Sequence, residues 1–353
     1  MIVKEGELLE QAESGTDGTI LFQKDYPFAA YTVKEIKAPA GYASSDERIV
    51  FAAEYVNQNT PVAEYRAEIQ NDSIVFEFTK EDITSGAELT GATLSVFDQD
   101  EKLVEQWISK AGEAHKIRNL LVGETYILRE ESAPYGYLRT TDVEFTVKDT
   151  KTIQSVVMKD DVPTGTIIIN KDGELLQGIV EKKWYQTFFD WKKSSLAGVT
   201  FEVHAAEDVV SPDGRNTCYY AKDELVTTIV TDKDGIAKAE GLPLGRYYLV
   251  ETATISGFVL NSTKIMADLS YIDQNTKVVY AKDSMENERQ KVSVMVVKKD
   301  AVTGEKLEGA VFGLYAKNDI VSKDGTVVLP AGELVEKAVT DSEGRILFQS
   351  DLP

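Results

Sequence analysis

Three strand-like runs of the sequence have the same pattern: two apolar residues at alternate positions, followed two residues later by a lysine. The runs are Phe76, Phe78 and Lys80; Ile167, Ile169 and Lys171; and Val294, Val296 and Lys298. Side chains two residues apart in a β-strand lie on the same face. The lysine of each run is therefore predicted to point inward with its apolar neighbours.

Two further polar positions follow the same rule. A glutamate shares the face of a tyrosine-led strand, and an asparagine or aspartate ends a later strand. The glutamates are Glu35, Glu130 and Glu251, and the strand-ending residues are Asn71, Asp160 and Asn287. Each complete repeating unit is thus predicted to place one lysine, one glutamate and one asparagine or aspartate in its core.

Such a buried polar set has two interpretations. A charge moved alone into an apolar interior costs several kcal/mol, so the residues could form a buried Lys–Glu salt bridge beside a hydrogen-bonded amide. Alternatively, desolvation lowers the pKa of a lysine and raises that of a glutamate. A neutral amine could then attack the Asn or Asp carbonyl while a protonated glutamate polarises it and relays the proton, with proximity supplied by the fold. Strand parity alone leaves both open.

Internal repeats indicate which elements position these residues. Residues 327–353 align without gaps on residues 1–27. A Leu-x-Gly run begins at Leu89, Leu196 and Leu307, and a tyrosine-led strand followed by a glycine turn begins at Tyr31, Tyr126 and Tyr247. The order of these signals predicts four parts: segment 1 (1–74, the C-terminal part of a module), module 2 (75–161, complete), module 3 (162–289, complete) and segment 4 (290–353, the N-terminal part of a module).

Within each part the segments are short, rich in Val, Ile, Thr, Tyr and Phe, and alternate in polarity. Turn signals such as Asp17-Gly18 and Asp234-Gly235 separate them. No 3.6-residue period is sustained long enough to predict a major helix. The pattern predicts an all-β chain of antiparallel sandwiches or barrels.

Composition excludes several classes of function. The 353 residues carry a formal net charge of −21, are 42% hydrophobic and include one cysteine, Cys218. The acidity argues against nucleic acid as a partner, and no apolar run is long enough to span a bilayer. An internal disulfide needs two cysteines. The sequence shows neither a signal peptide nor a sorting motif, and we expect it to be an internal fragment of a longer protein.

The sequence resembles the Cna B-type (SpaA-like pilin) modules of Gram-positive surface proteins. The resemblance is carried by Lys-x-Asp at Lys80 and Lys298, by the Leu-x-Gly runs and by Val33-Lys-Glu-Ile-Lys-Ala-Pro-Ala-Gly-Tyr42. It implies tandem prealbumin-like or Ig-like antiparallel β-sandwich modules with a Lys–Asn/Asp isopeptide bond promoted by glutamate. The implied triads are Lys80, Glu130 and Asp160 in module 2, and Lys171, Glu251 and Asn287 in module 3.

The chain departs from the family pattern at five points. Asp160 replaces the commoner asparagine, so that water would leave in place of ammonia. Module 3 has Lys171-Asp-Gly where Lys-x-Asp is usual, and 25 residues separate Lys171 from Leu196. Segment 1 has Glu35, as the bond-promoting acid, and Asn71 without a preceding lysine. Segment 4 has Lys298 without a following glutamate or acceptor, so neither segment can complete a bond within itself.

Module 3 also contains an aromatic-rich insertion near residues 174–195. Its residues Trp184, Tyr185, Phe188 and Trp191 either form a ligand surface or cover an edge of the sandwich, and the second is the commoner use of such residues. His115 and His204 fall in different modules, and Asp232-Lys-Asp-Gly235 lacks the further ligands of a calcium loop. We predict neither a metal site nor a cofactor.

The predicted function is structural: a stalk or shaft segment of an extracellular, cell-wall-attached surface protein or pilin, stiffened by autocatalytic isopeptide bonds. The alternative is an adhesin that contacts host or matrix protein or glycan through the insertion. Other expected partners are neighbouring modules or chains of the same protein. Because each bond forms once, without turnover, the chain is not predicted to be an enzyme.

Overall fold

The computed structural model describes residues 3–212 and 217–353, and the described residues contain β-strands and no helix. The prediction of an all-β chain is confirmed. By its internal contacts the chain divides into two compact bodies. The first comprises Met1–Glu81, Glu88–Glu131 and Thr141–Lys159, and the second comprises Asp82–Ala87, Ser132–Thr140 and Asp160–Pro353.

Nine strands build the first body, apart from the last residue of β3, β7 and β9, which falls in the second. They are β1 (Ala30–Lys34), β2 (Arg48–Ala52), β3 (Val75–Asp82), β4 (Thr93–Phe97), β5 (Leu103–Ile108), β6 (His115–Arg118), β7 (Thr125–Ser132), β8 (Val143–Thr146) and β9 (Gln154–Asp160). Strands β1 and β2 form a ribbon of their own. The others form two sheets with the orders β6-β3-β9 and β5-β4-β7-β8.

The core of the first body lies between these two sheets. Burial alternates strictly along β3, whose Phe76 and Phe78 point inward with Lys80. Leu94 and Leu128 of the facing sheet belong to the same apolar cluster. The period of two in the sequence therefore corresponds to the two faces of each strand.

Sixteen strands build the second body. They are β10 (Thr164–Lys182), β11 (Thr187–Ser195), β12 (Thr200–Ala205), β13 (Val209–Val210), β14 (Cys218–Tyr220), β15 (Leu225–Val230), β16 (Ile236–Leu242), β17 (Gly245–Ala253), β18 (Ile265–Leu269), β19 (Val278–Asn287), β20 (Met295–Val297), β21 (Val311–Tyr315), β22 (Ile320–Val321), β23 (Val327–Leu329), β24 (Leu334–Val339) and β25 (Arg345–Leu347).

Module 3 repeats the two-sheet arrangement of module 2. One sheet has the order β15-β12-β17-β18. In the other, β10 pairs with β11 and β16 in antiparallel and with β19 in parallel. Ile167, Ile169, Phe201 and Leu249 are buried between them. The first and last strands of the module are thus direct neighbours, with Lys171 in register with Met285.

Strands β10 and β11 continue past this sandwich as a long hairpin, residues 174–195, which we call the arm. Segment 4 lies beside it as three short two-stranded sheets, β20-β25, β21-β24 and β22-β23. A small cluster of Ala316, Leu329 and Val335 includes Ile179 and Phe189 of the arm. The arm therefore shares a core with segment 4.

Candidate functional site

The lysine, glutamate and asparagine predicted for module 3 meet in its core. Strand β10 supplies Lys171, β17 supplies Glu251 and β19 supplies Asn287, and all three are at most 1% exposed. Lys171 Nζ lies 2.5 Å from Asn287 Oδ1 and 3.0 Å from Glu251 Oε2. Asn287 Nδ2 donates to Glu251 Oε1 at 2.6 Å. One carboxyl group thus contacts both the amine and the amide nitrogen.

Burial controls the electrostatics of this site. Desolvation lowers the pKa of Lys171 below its usual value, while the hydrogen bond and charge of Glu251 act in the opposite direction. A lysine with a lowered pKa is more often neutral, and a neutral amine is nucleophilic. The arrangement can bring a nucleophile, a carbonyl and a proton-relaying carboxyl into one water-poor pocket.

The backbone around Lys171 is fixed by two hydrogen bonds. Lys171 N donates to Gly235 O at 2.7 Å, and Leu196 N donates to Lys171 O at 2.8 Å. Gly235 has φ +73°, and a Cβ there would lie 2.6 Å from Lys171 O. Only glycine combines this backbone conformation with such a close approach. The hairpin turn at Asp234-Gly235 therefore positions the lysine strand.

Thr254 is a member of the site that the sequence analysis missed. Its Oγ1 accepts a hydrogen bond from Asn287 Nδ2 at 2.8 Å, so that Nδ2 is held between Thr254 and Glu251. Strand parity could not place Thr254, because β17 ends at Ala253 and the residue lies beyond the regular alternation. The positions three after Glu35 and Glu130 are alanines, so the repeats give no sequence signal for it.

The predicted residues of module 2 are also buried. Lys80, Glu130 and Asp160 lie at the inward positions of β3, β7 and β9, and Lys80 Nζ is 3.0 Å from Glu130 Oε1. Leu89 N donates to Lys80 O at 2.7 Å, as Leu196 N does to Lys171 O. Asp160 O accepts from Ile83 N at 2.8 Å, just after the lysine strand.

The corresponding residues of segments 1 and 4 are less enclosed. Glu35 and Asn71 are half-buried, and Asn71 Nδ2 donates to both carboxyl oxygens of Glu35 at 3.0 and 2.8 Å. Lys298 is exposed, so the prediction that it points into a core is wrong for this structure. The reason is that, among the described residues, β20 pairs with β25 alone, whereas β3 and β10 have strands on both sides.

Comparison with known families identifies the modules. The profile of the family described as SpaA, prealbumin-like fold domain, matches residues 2–68, 75–162, 189–284 and 292–353. The chain belongs to this family. The matched range in module 3 begins after most of the arm and leaves out Lys171 and Asn287. The SpaA-type module 3 is thus recognised by its sandwich strands, and of the buried triad only Glu251 lies in the matched range.

Several solved structures resemble this SpaA-type chain. The Bacillus anthracis TIE protein is 22% identical over 74% of this chain and 42% of its own, with a TM-score of 0.43. GBS52, the minor pilin of Streptococcus agalactiae, is 14% identical over 62% and 98%, with a TM-score of 0.25. BcpA, the major pilin subunit of Bacillus cereus, is 13% identical over 62% and 99%, with a TM-score of 0.24. The chain spans less than half the length of the TIE protein chain. No curated protein matches.

The aromatic residues of the arm lie against segment 4 of the SpaA-type chain. Tyr185 O accepts from Lys337 N of β24 at 2.7 Å. Trp191 lies under the guanidinium of Arg289, the last residue of module 3, 3.6 Å from ring centroid to Cζ, and Arg289 donates to Leu352 O of segment 4 at 3.2 Å. Phe188 is half-buried, whereas Trp184 is 78% exposed. The arm thus pairs with the β24 edge of the following segment.

The remaining candidate groups have structural contacts. His115 stacks on Trp107 and His204 on Tyr248. Asp232 accepts hydrogen bonds from the backbone N–H groups of Asp234 and Ile236, as an aspartate does in a tight turn. In the described parts of the chain no cluster of three His, Cys, Asp or Glu residues could hold a metal ion. The same residues include no helix of the length and apolarity that crossing a bilayer requires.

Proposed function

We propose that the chain is a structural segment of an extracellular, cell-wall-attached surface protein of the pilin or adhesin-stem type, and that modules 2 and 3 are each stiffened by one internal isopeptide bond. The bonds join Lys80 to Asp160 and Lys171 to Asn287. The observation that carries the proposal is the buried triad of module 3, in which Glu251 contacts both Lys171 Nζ and Asn287 Nδ2.

The reaction in module 3 follows from these contacts. The neutral Lys171 amine attacks Asn287 Cγ, and Glu251 hydrogen-bonds to the amide and takes a proton from the attacking nitrogen. The same carboxyl delivers a proton to Nδ2, which Thr254 also holds. The Nζ–Cγ bond forms, the Cγ–Nδ2 bond breaks, and ammonia leaves. Glu251 ends in its original protonation state, so the step needs no cofactor.

Module 2 is proposed to react in the same way with a different leaving group. Lys80 is the nucleophile, Glu130 the proton relay and Asp160 the acceptor, so the product amide forms with loss of water. Support comes from the burial of all three residues and from the 3.0 Å contact between Lys80 and Glu130. Burial of three ionisable groups together is costly unless they are paired or neutralised, and amide formation removes two of the charges.

The position of the module 3 bond suits a mechanical role. The chain enters the module along β10 and leaves it along β19, and these strands are parallel neighbours. A covalent link from Lys171 to Asn287 carries tension directly from the first strand to the last. Residues 172–286, which lie between the two linked positions, then carry no tension, and pulling on the chain does not unfold the sandwich.

The test is the intact mass of the purified, denatured chain. Two bonds predict a mass below that of the sequence by one water and one ammonia. Peptide mapping should then recover cross-linked peptides that contain Lys80 with Asp160 and Lys171 with Asn287. An undiminished mass would leave two buried salt bridges and overturn the proposal.

The adhesin alternative has less support. Three of the four aromatic residues predicted as a ligand surface are at least half-buried, and the arm that carries them pairs with segment 4. Trp184 alone is largely exposed. The proposed partners are therefore neighbouring modules or chains of the same kind. Bond formation happens once per module, so the proposal does not make the chain an enzyme.

A further inference from the structure

A buried glycine follows Lys171 on the inward face of β10. Ile167, Ile169 and Lys171 are buried at alternate positions, and Gly173 is the next residue on the same face. Gly173 also lies in register with Asn287 of β19. A side chain at this position would stand beside both the lysine and the amide of the module 3 triad. The glycine leaves that space to another residue.

The ring of Phe258 occupies this space. A Cβ at Gly173 would overlap Phe258 Cε1 and would lie 2.9 Å from Leu196 Cδ1. Phe258 is half-buried and packs against the apolar core of module 3. The edge of an aromatic ring thus takes the place of the missing side chain, on the inward face two residues beyond Lys171.

Backbone hydrogen bonds fasten this ring to the strand that carries the acceptor. Val259 N donates to Glu288 O at 2.9 Å, and Gln290 N donates to Gly257 O at 2.8 Å. The two bonds lie on either side of Phe258 and join it to the residues that directly follow the acceptor asparagine. The position of the ring is therefore tied to that of the amide.

Module 2 uses a different pair of residues at the same two positions. Asp82 follows Lys80 by two residues, and Tyr137 corresponds to Phe258 in the repeat; both are buried. Burial acts to raise the pKa of Asp82, but hydrogen bonds, one of them from the Tyr137 hydroxyl, hold it below its usual value. A buried tyrosine hydroxyl needs an acceptor and a phenylalanine ring needs none. The glycine and the phenylalanine of module 3 are therefore matched changes.

We propose that Phe258 is a positioning residue of the module 3 bond: its ring, admitted by Gly173, closes the site beside Lys171 and excludes water from it. The inference rests on the isopeptide bond proposed above and adds a residue to its formation. Exclusion of water favours the neutral amine, which attack on Asn287 Cγ requires. The ring transfers no proton and forms no bond, so the covalent step and the loss of ammonia are unchanged.

The first test follows the intact mass of the full chain at successive times after its synthesis. In Phe258→Ala we expect ammonia loss from module 3 to be about tenfold slower, because water reaches Lys171. Phe258→Leu keeps an apolar side chain in the space and should restore most of the rate. Loss of water from module 2 of the same molecules is the internal reference. Phe189→Ala, at a half-buried position in the cluster shared with segment 4, is the matched control.

A double substitution tests whether Gly173 acts through the ring. Gly173→Ala places a methyl group against Phe258 and should slow ammonia loss. Gly178→Ala, on the same strand with no atom within 4 Å of the added Cβ, should leave the rate unchanged. In Gly173→Ala combined with Phe258→Ala the methyl group meets no ring, so the rate should be no lower than in Phe258→Ala alone. Two independent effects that multiply would refute the coupling of the two residues.

The outcomes distinguish this inference from the proposed function. Equal rates of ammonia loss in Phe258→Ala and the unsubstituted chain would refute the role of the ring and leave the bond standing. A rate in Phe258→Leu as low as in Phe258→Ala would refute exclusion of water as that role. If Phe258→Ala does not fold, Gly173→Ala with and without Phe258→Leu makes the same comparison. No loss of ammonia from the unsubstituted chain would overturn the bond itself, and the role of Phe258 with it.

Discussion

Lys171 and Asn287 lie on parallel neighbouring strands, and the amine nitrogen of the first is 2.5 Å from the amide oxygen of the second. Strand β10 opens module 3 and β19 closes it, so this contact joins the two ends of the sandwich. The same contacts fit both a buried Lys171–Glu251 salt bridge beside a hydrogen-bonded Asn287 amide and a triad poised to form an amide bond. Substitutions around the triad distinguish a salt bridge from a covalent amide bond.

Replacing the acid should block the bond in module 3. In Glu251→Gln the proton relay is lost, and we expect the mass to show loss of water from module 2 but no loss of ammonia. Removal of a cross-link over such a long loop should lower the free energy of unfolding by roughly 2–4 kcal/mol, the range typical of a disulfide. Glu286→Gln, an exposed neighbour on β19, is the control. Ammonia loss in Glu251→Gln would remove the glutamate from the mechanism.

The acceptor of module 2 can be exchanged without changing the product. In Asp160→Asn the leaving group becomes ammonia, but the amide to Lys80 is the same. We therefore expect the intact masses of this variant and of the unsubstituted chain to be identical. Without a bond in module 2 the two masses would differ by the difference between a hydroxyl and an amino group, a result that high-resolution mass spectrometry resolves.

Thr254 is expected to act as a positioning residue. Thr254→Val removes a hydrogen bond to the departing nitrogen, which at about 1 kcal/mol corresponds to a roughly five- to tenfold slower bond formation. The measurement is the loss of ammonia by intact mass as a function of time after synthesis of the chain, because a bond that has formed does not form again on refolding. Thr263→Val, at an exposed site, should leave the rate unchanged. An unchanged rate in Thr254→Val would reduce Thr254 to a packing contact.

The lowered pKa of Lys171 predicts a pH dependence where no bond can form. In Asn287→Ala the unfolded chain binds a proton at Lys171 up to about pH 10.5, whereas the folded state releases it at lower pH. Stability should therefore rise with pH between the lowered pKa and 10.5, and fall as pH decreases through that window. Urea unfolding at several values from about pH 7 to about pH 10 measures the free energy of unfolding. The rise of stability with pH should vanish when Lys171→Met is added to Asn287→Ala. If the rise persisted in the double variant, another titrating group would be its cause.

Substituting alanine for the two arm tryptophans, Trp191 and Trp184, should affect hydrogen exchange to different extents. Trp191 lies under Arg289, a cation–π contact of about 1–2 kcal/mol at a partly desolvated site. In Trp191→Ala we expect faster hydrogen exchange in the arm and in β24, because Arg289, which donates to Leu352 O of segment 4, no longer links the arm to that segment. Trp184 is 78% exposed, and its ring lies 5.4 Å from Lys337 Nζ of β24, a contact that solvent weakens, so Trp184→Ala should raise the exchange less than Trp191→Ala does. Equal protection in both variants would mean that the backbone pairing alone holds the arm.

The sequence by itself determined the strands, the module repeat and the inward face that carries Lys171, Glu251 and Asn287. These follow from a period of two and from recurring local motifs, both of which are properties of neighbouring residues. The family assignment followed from the same motifs. The distance between Lys171 and Asn287, in contrast, depends on the parallel pairing of β10 with β19, which are far apart in the chain.

Tertiary structure decided the features that depend on which segments meet. Thr254 enters the site because the chain turns back after β17, where strand alternation has ended. The arm docks on β24, although its aromatic composition fits a ligand surface equally well. Lys298 is exposed despite its inward parity, because burial needs strands on both sides of β20 and, among the described residues, it has one. Parity fixes the face of a side chain, and only the packing of distant segments decides what covers it.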